Sequence, residues 1–308
     1  MNNNINHINN LHEITNIFEN SQKIIISTHF NPDGDAIGSA LALWNYFNEN
    51  NKDALIMISD DVPKNMRFLS GADKILKFHQ KSKLHLIKEA DLIILVDMND
   101  YGRSMMLADA FRESNAQKIV IDHHLGFNIN SNHNYIDTNA SSTGELIWRI
   151  FSEIPGFELS KPIAEALYVA IATDTGNFRF PKTTSAVHQI IAILIDAGAD
   201  PAYLYENVYN QKTINQMRLL GRALSNIKLL FQDKVCLMAI SEKGTSVSSS
   251  SNSYHRELRA SESPFNRKIK APHAIPYTLP TMMIGIAARI PREMCFPYVS
   301  RILSHAAF

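Results

Sequence analysis

The sequence predicts an α/β fold, a doubly wound and mainly parallel sheet flanked by helices. Three observations lead there. Four short apolar runs, at 24–27, 54–59, 91–97 and 118–124, are rich in β-branched residues and read as strands covered on both faces. Stretches with helical spacing lie between them, and strands alternating with helices build parallel sheets. Three of the runs lead into clusters of acidic residues and histidines, and in such sheets ligands collect at the carboxyl ends of the strands.

The elements follow in order. Residues 11–18 have the spacing of a short amphipathic helix. The strand at 24–27 leads into His29-Phe-Asn-Pro-Asp-Gly-Asp35, where Asn31-Pro32 and Gly34 are turn chemistry. From Ala36 the apolar residues Ile37, Leu41, Trp44 and Phe47 recur at helical spacing, with Asp35 at the expected N-cap. The strand at 91–97 ends in Asp97, and that at 118–124 ends in Asp122, His123 and His124. Helices are expected at 143–151, at 161–173 with Pro162 in the first turn, and at 184–197. Gly176 is expected to stop the second of these, just after Asp174, and Gly198 the third. Asp200-Pro201 starts another helix, which leads into a long helical region at 211–230. A last strand is expected at 234–240.

Composition narrows the function. With 308 residues and 45% hydrophobic content the chain can bury a large core, in one large domain or two. Net charge is zero, so no global field points to nucleic acid or a membrane surface. Cys236 and Cys295 have no metal spacing and suggest a reducing compartment. The first residues lack a basic and apolar leader, and no apolar run approaches a membrane span, so a cytoplasmic protein with no membrane partner is expected.

The candidate ligands are His29, Asp33, Asp35, Asp97, Asp122, His123, His124 and Asp174. Each has a plainer reading taken alone: Asp97 as a helix cap, Asp174 in a turn, the histidine pair as one core and one surface residue. All of them at the ends of buried elements make a poor coincidence. Crowded carboxylates repel, and divalent cations neutralise them. Carboxylate and imidazole ligands without thiolate suit Mn²⁺, with Mg²⁺, Fe²⁺ or Zn²⁺ as alternatives. The number of ligands suggests two ions that share a carboxylate, roughly 3.5–4 Å apart, an arrangement that clamps both oxygens of a phosphoryl transfer.

These segments, together with Thr173-Asp-Thr-Gly-Asn-Phe178, resemble the four ordered motifs of the DHH phosphoesterases, over about the first two thirds of the chain. Among them the sequence looks most like the bacterial enzymes with a DHHA1 domain that degrade very short oligoribonucleotides and dephosphorylate 3′-phosphoadenosine 5′-phosphate. The resemblance implies that His29 and Asp33 hold one metal, Asp35, His123 and Asp174 a second, and that Asp97 bridges. It makes Asp122 the residue that orients a histidine and places His124 against the scissile phosphate. Arg103 is implied as a contact to substrate phosphate, with a surface salt bridge as the plain alternative. Ser141-Ser-Thr-Gly-Glu145 resembles a family segment at the edge of the site and reads equally well as a capping box.

The implied activity is Mn²⁺-dependent 3′–5′ hydrolysis of short oligoribonucleotides, and of a nucleoside bisphosphate, with a homodimer as the implied assembly. The alternatives are a cyclic dinucleotide phosphodiesterase and a catalytically weak nucleotide-binding regulator. The implied domains are a DHH catalytic domain at 1–195, a helical connector at 196–230, and a partial or disrupted DHHA1-like substrate domain at 231–308. Within the last lies a Ser-rich linker at 244–253. From Tyr254 onward 8 Lys and Arg face 3 Glu and no Asp, half of the 12 prolines gather there, and the Gly-Gly-Gly-His loop of the family is missing.

Overall fold

The computed structural model describes residues 11–78, 83–230 and 235–237. The chain divides into two units, Met1–Gln211 and Lys212–Phe308. The first is built on a sheet of six strands: β1 (Lys23–Ser27), β2 (Asp53–Ile58), β3 (Leu76–Lys77), β4 (Leu92–Val96), β5 (Gln117–Asp122) and β6 (His133–Ile136). Their spatial order is β3-β2-β1-β4-β5-β6 and every pairing is parallel. The expected doubly wound α/β fold is therefore the observed one.

Helices cover both faces. They are α1 (Leu11–Asn20), α2 (Gly34–Glu49), α3 (Leu84–Lys88), α4 (Ala108–Glu113), α5 (Thr143–Ser152), α6 (Lys161–Asp174), α7 (Ser185–Asp196) and α8 (Pro201–Tyr209). Successive strand residues point to opposite faces, and the core splits accordingly. Ile24, Ile26, Ile94 and Ile121 join residues of α1, α2, α5, α6, α7 and α8 in one cluster. Ile25, Ile93, Leu95 and Val120 join Ile87 of α3 and Phe111 of α4 in the other. Strands sandwiched in this way have no polar face, which is why they read as unbroken apolar runs.

Two helices set the position of the site. α2 and α6 pack against each other closely enough that a Cβ on Gly38 would lie 2.5 Å from the Ala166 carbonyl oxygen and 2.9 Å from the Ala170 amide nitrogen. Nothing but glycine lets the two backbones meet there. The amino end of α2 and the carboxyl end of α6 then lie side by side, and a Cβ on Gly34 would fall 2.4 Å from the Thr173 side chain.

Several boundaries correct the sequence reading. Asp33, not Asp35, is the N-cap of α2: its side chain accepts the amides of Asp35 and Ala36, each at 3.1 Å. Asp35 lies within the helix and is buried. The region 211–230 is not one helix. In the second unit α9 (Ile214–Ser225) starts at a capping box of Thr213 and Gln216, and β7 (Lys228–Leu230) follows. β7 pairs antiparallel with β8 (Val235–Leu237), the described part of the strand expected at 234–240. The Ser-rich stretch 244–253 and the rest of the tail to 308 lie outside the described residues. Among the described residues no helix is long and apolar enough to cross a membrane.

Gly38→Ala tests the helix contact. At an open helix position this change gains about 1 kcal/mol from helix propensity. Here the clash with the α6 backbone should reverse the sign and cost about 1–3 kcal/mol, as overpacking does. Urea denaturation measures it, and a variant as stable as the parent would show that α2 and α6 can part without cost.

Candidate metal centre

The sheet reverses its strand order between β1 and β4, and in doubly wound sheets the crevice at that reversal is where ligands bind. The expected residues meet there. His29 follows β1, Asp33 and Asp35 open α2, and Asp97 follows β4. Asp122 ends β5, with His123 and His124 next in the chain, and Asp174 closes α6. His29, Asp35, Asp97, Asp122 and His123 are buried, while Asp33 is exposed.

Ligand atoms of His29, Asp33 and Asp97 lie within 4.8 Å of one another, as do those of Asp35, His123 and Asp174, and those of Asp97, His123 and His124. Asp97 stands between the groups. Its Oδ2 is 3.2 Å from His29 Nε2, and its Oδ1 is 3.6 Å from His123 Nε2 and 3.4 Å from His124 Nδ1.

Two features fit a cation better than direct pairing. Nε2 of His123 faces three carboxylates, Asp174 at 3.4 Å, Asp97 at 3.6 Å and Asp35 at 3.7 Å. Neither nitrogen of this buried ring has a hydrogen-bond partner. Those separations are too long for hydrogen bonds and suit atoms that share an ion. The second feature is His29, whose Nδ1 donates to the Phe30 carbonyl oxygen at 2.7 Å. That bond commits Nδ1 and turns Nε2 toward Asp97 Oδ2 at 3.2 Å, where either a proton on Nε2 or a metal joins the two.

The titration of the cluster reports the same crowding. Burial raises Asp35 well above the ordinary carboxylate range, and the charges of Asp97, Asp174 and Asp33 add to it. Burial also pushes Asp174 up to about 7, helped by Asp97 and Asp33. For Asp97 burial works upward as well, but the His29 hydrogen bond and the neighbouring histidine charges outweigh it and hold this carboxyl low. Burial opposes the His29 cation, yet the bond and charge of Asp97 raise its pKa. His123 is lowered by burial. His124 is raised, chiefly by its bond from Nδ1 to Asp122 Oδ1 at 2.8 Å.

The backbone is strained around the cluster. Asn31, Asp97, Met105, Asn177 and Phe178 have φ between 50° and 64°, although none is glycine. Residues other than glycine adopt this region at a cost and gather at functional sites.

The structure also gives contacts to residues of the 141–145 segment, which the sequence reading placed at the edge of the site without individual roles, and to others it did not assign. Thr143 and Gly144, at the first turn of α5, donate their amides to Asp35 at 2.7 and 2.9 Å. The Thr143 hydroxyl donates to Asp97 Oδ1 at 3.1 Å, and the Ser39 hydroxyl to Asp35 Oδ1 at 3.2 Å. Ser142 does cap α5, accepting the Glu145 amide at 3.1 Å, while Glu145 accepts the Ser141 amide at 2.7 Å. The 141–145 segment therefore works both as a cap and as a support for the carboxylates. Arg103 is half-buried, and its charge opposes protonation of His29 and His124. The charge of Lys182 acts likewise on His123 and helps ionise Asp174. Nothing in the sequence around Lys182 marks it as a neighbour of the site.

The chain is similar to known proteins. The model of the DHH family, N-terminal domain, matches residues 23–171. The bifunctional oligoribonuclease and PAP phosphatase NrnA of Bacillus subtilis is 28% identical over 208 residues, 67% of this chain and 63% of that protein. The cyclic-di-AMP phosphodiesterase PdeA of Listeria monocytogenes is 29% identical over 58% of this chain and 29% of its own length. The chain thus spans less than two thirds of the length of either relative. The crystal structure of an exopolyphosphatase-related protein from Bacteroides fragilis superposes with a TM-score of 0.73 at 32% identity, over 76% of this chain and 70% of that one. The matched region runs from β1 into α6 and holds every candidate ligand except Asp174, three residues beyond it; the chain belongs to the DHH family.

Proposed function

We propose that the chain is a phosphoesterase that hydrolyses short oligoribonucleotides, and a nucleoside bisphosphate as a second substrate, with two divalent cations, Mn²⁺ first among them. The observation that carries the proposal is His123 Nε2 surrounded by three carboxylates from α2, the end of β4 and the end of α6. In this reading His29 and Asp33 hold one cation, Asp35, His123 and Asp174 the other, and Asp97 serves both. Bound there, such ions neutralise phosphate charge and supply hydroxide near neutral pH.

The remaining residues have separate tasks. Asp122 accepts from His124 Nδ1, which fixes that ring and favours its protonated form. His124 would then stabilise charge on the scissile phosphate or give a proton to the leaving oxygen. Arg103 and Lys182 add positive charge near the mouth of an otherwise acidic cluster and favour approach of an anionic substrate. The similarity to an NrnA enzyme over two thirds of the chain supports the oligoribonucleotide reading. The similarity to PdeA keeps a cyclic dinucleotide as the second candidate substrate. Hydrolysis of a diribonucleotide, a nucleoside bisphosphate and a cyclic dinucleotide, compared by kcat/KM with Mn²⁺ present, decides among them. Turnover of none of the three would leave a nucleotide-binding regulator.

Two substitutions separate the roles. Asp97→Ala should abolish hydrolysis and lower the metal content, because one carboxylate serves both ions; two metals retained per chain would remove Asp97 from that role. His124→Ala should keep both metals and slow the chemical step about 10²–10³-fold, the usual cost of losing a stabiliser of transition-state charge. Loss of a metal from that variant would make His124 a ligand instead.

A further inference from the structure

Asp35 and Asp97 are buried carboxylates from different elements that face the same histidine. One residue touches both. The Thr143 amide donates to Asp35 Oδ2 at 2.7 Å, and its hydroxyl donates to Asp97 Oδ1 at 3.1 Å. Thr143 is itself fully buried. It is held in place by the start of α5, where Ser142 caps the helix.

The two oxygens of Asp97 are not equivalent. Oδ2 faces His29, whereas Oδ1 faces His123 and His124 and also receives the Thr143 hydroxyl. A carboxylate oxygen has two lone pairs. The hydroxyl occupies one on Oδ1 and fixes the plane of the carboxylate, so that the other is directed by the protein and not left to rotate. The backbone amides of Thr143 and Gly144 fix Asp35 in the same way. A Cβ on Gly144 would meet the Ala170 Cβ at 2.6 Å, so the start of α5 sits hard against α6, the helix that ends in Asp174. Asp35, Asp97 and Asp174 are thus referred to one rigid point.

We propose that Thr143 is a positioning residue whose hydroxyl aims Asp97 Oδ1 at the Asp35–His123–Asp174 side of the centre, and so sets the affinity of the cation held there while leaving the His29–Asp33 side largely untouched. The inference rests on the two-cation reading above. Hydrogen bonds to metal-binding carboxylates orient them, and their removal typically costs about 10–100-fold in metal affinity.

The test is Mn²⁺ binding to the full chain by equilibrium dialysis, read as two separate affinities, for the parent, Thr143→Val and Thr143→Ser. Valine keeps the shape and the amide but removes the hydroxyl; serine keeps the hydroxyl. The expected result is a loss of at least tenfold in one affinity only for Thr143→Val, with recovery to within about threefold in Thr143→Ser and an unchanged melting temperature of the metal-free proteins. Should Thr143→Val fail to fold, Thr143→Ala is read in its place. Two unchanged affinities in the valine variant, equal losses in both, or no recovery with serine would overturn the role of Thr143. A parent protein that binds fewer than two Mn²⁺ would instead overturn the two-cation reading on which it rests.

Discussion

Carboxylates gathered away from water repel one another, and a fold that gathers them must supply compensation. Asp35, Asp97 and Asp174 come together here with Asp33 close by, and Asp35 and Asp97 are buried. The chain answers with fixed donors, two amides at the start of α5 and the hydroxyls of Ser39 and Thr143, and with three histidine rings beside the carboxylates. These do not cancel the repulsion, since Asp35 and Asp174 are still pushed toward the protonated state. In the proposed reading divalent cations would make up this deficit, and the affinity for them would come from the same crowding that otherwise weakens the fold.

Topology makes the crowding attainable. β1 and β4 are neighbours in the sheet, although β2 and β3 lie between them in sequence. Their carboxyl ends, with that of β5, deliver His29, Asp97 and the Asp122–His124 run to one edge. Glycine at 34, 38 and 144 then lets α2, α5 and α6 approach until Asp35 and Asp174 reach the same place. Asp97 turns out of β4 at a φ of 56°. Aspartate is among the few residues other than glycine that adopt positive φ, and both oxygens of this carboxylate are engaged there.

The sheet core and most of the centre were legible in the sequence because both depend on local pattern. Apolar β-branched runs marked β1, β2, β4 and β5, and the acidic and histidine residues sat at their ends. β6 was not legible, since His133-Asn-Tyr-Ile136 alternates no clear apolar face, and β3 is only two residues long. Asp33 and Asp35 are both cap residues by type, so the sequence alone points as readily to Asp35 as to Asp33. What decides between them is the pair of amides donated by Thr143 and Gly144, more than a hundred residues away. The break before α9 did carry a local signal, the Thr213–Gln216 capping box, obscured by the absence of Gly or Pro nearby. The 141–145 segment was legible as an edge of the site, but the contacts of Thr143 and the charge of Lys182 act through tertiary placement, which no spacing rule reports.

We propose that these residues form one centre for two cations joined by Asp97. Anomalous X-ray diffraction from crystals loaded with Mn²⁺ tests it most directly. The account predicts two manganese peaks roughly 3.5–4 Å apart, the usual spacing of two-metal sites, with Asp97 touching both, His29 on one and His123 on the other. A single peak, or two peaks that share no ligand, would contradict it.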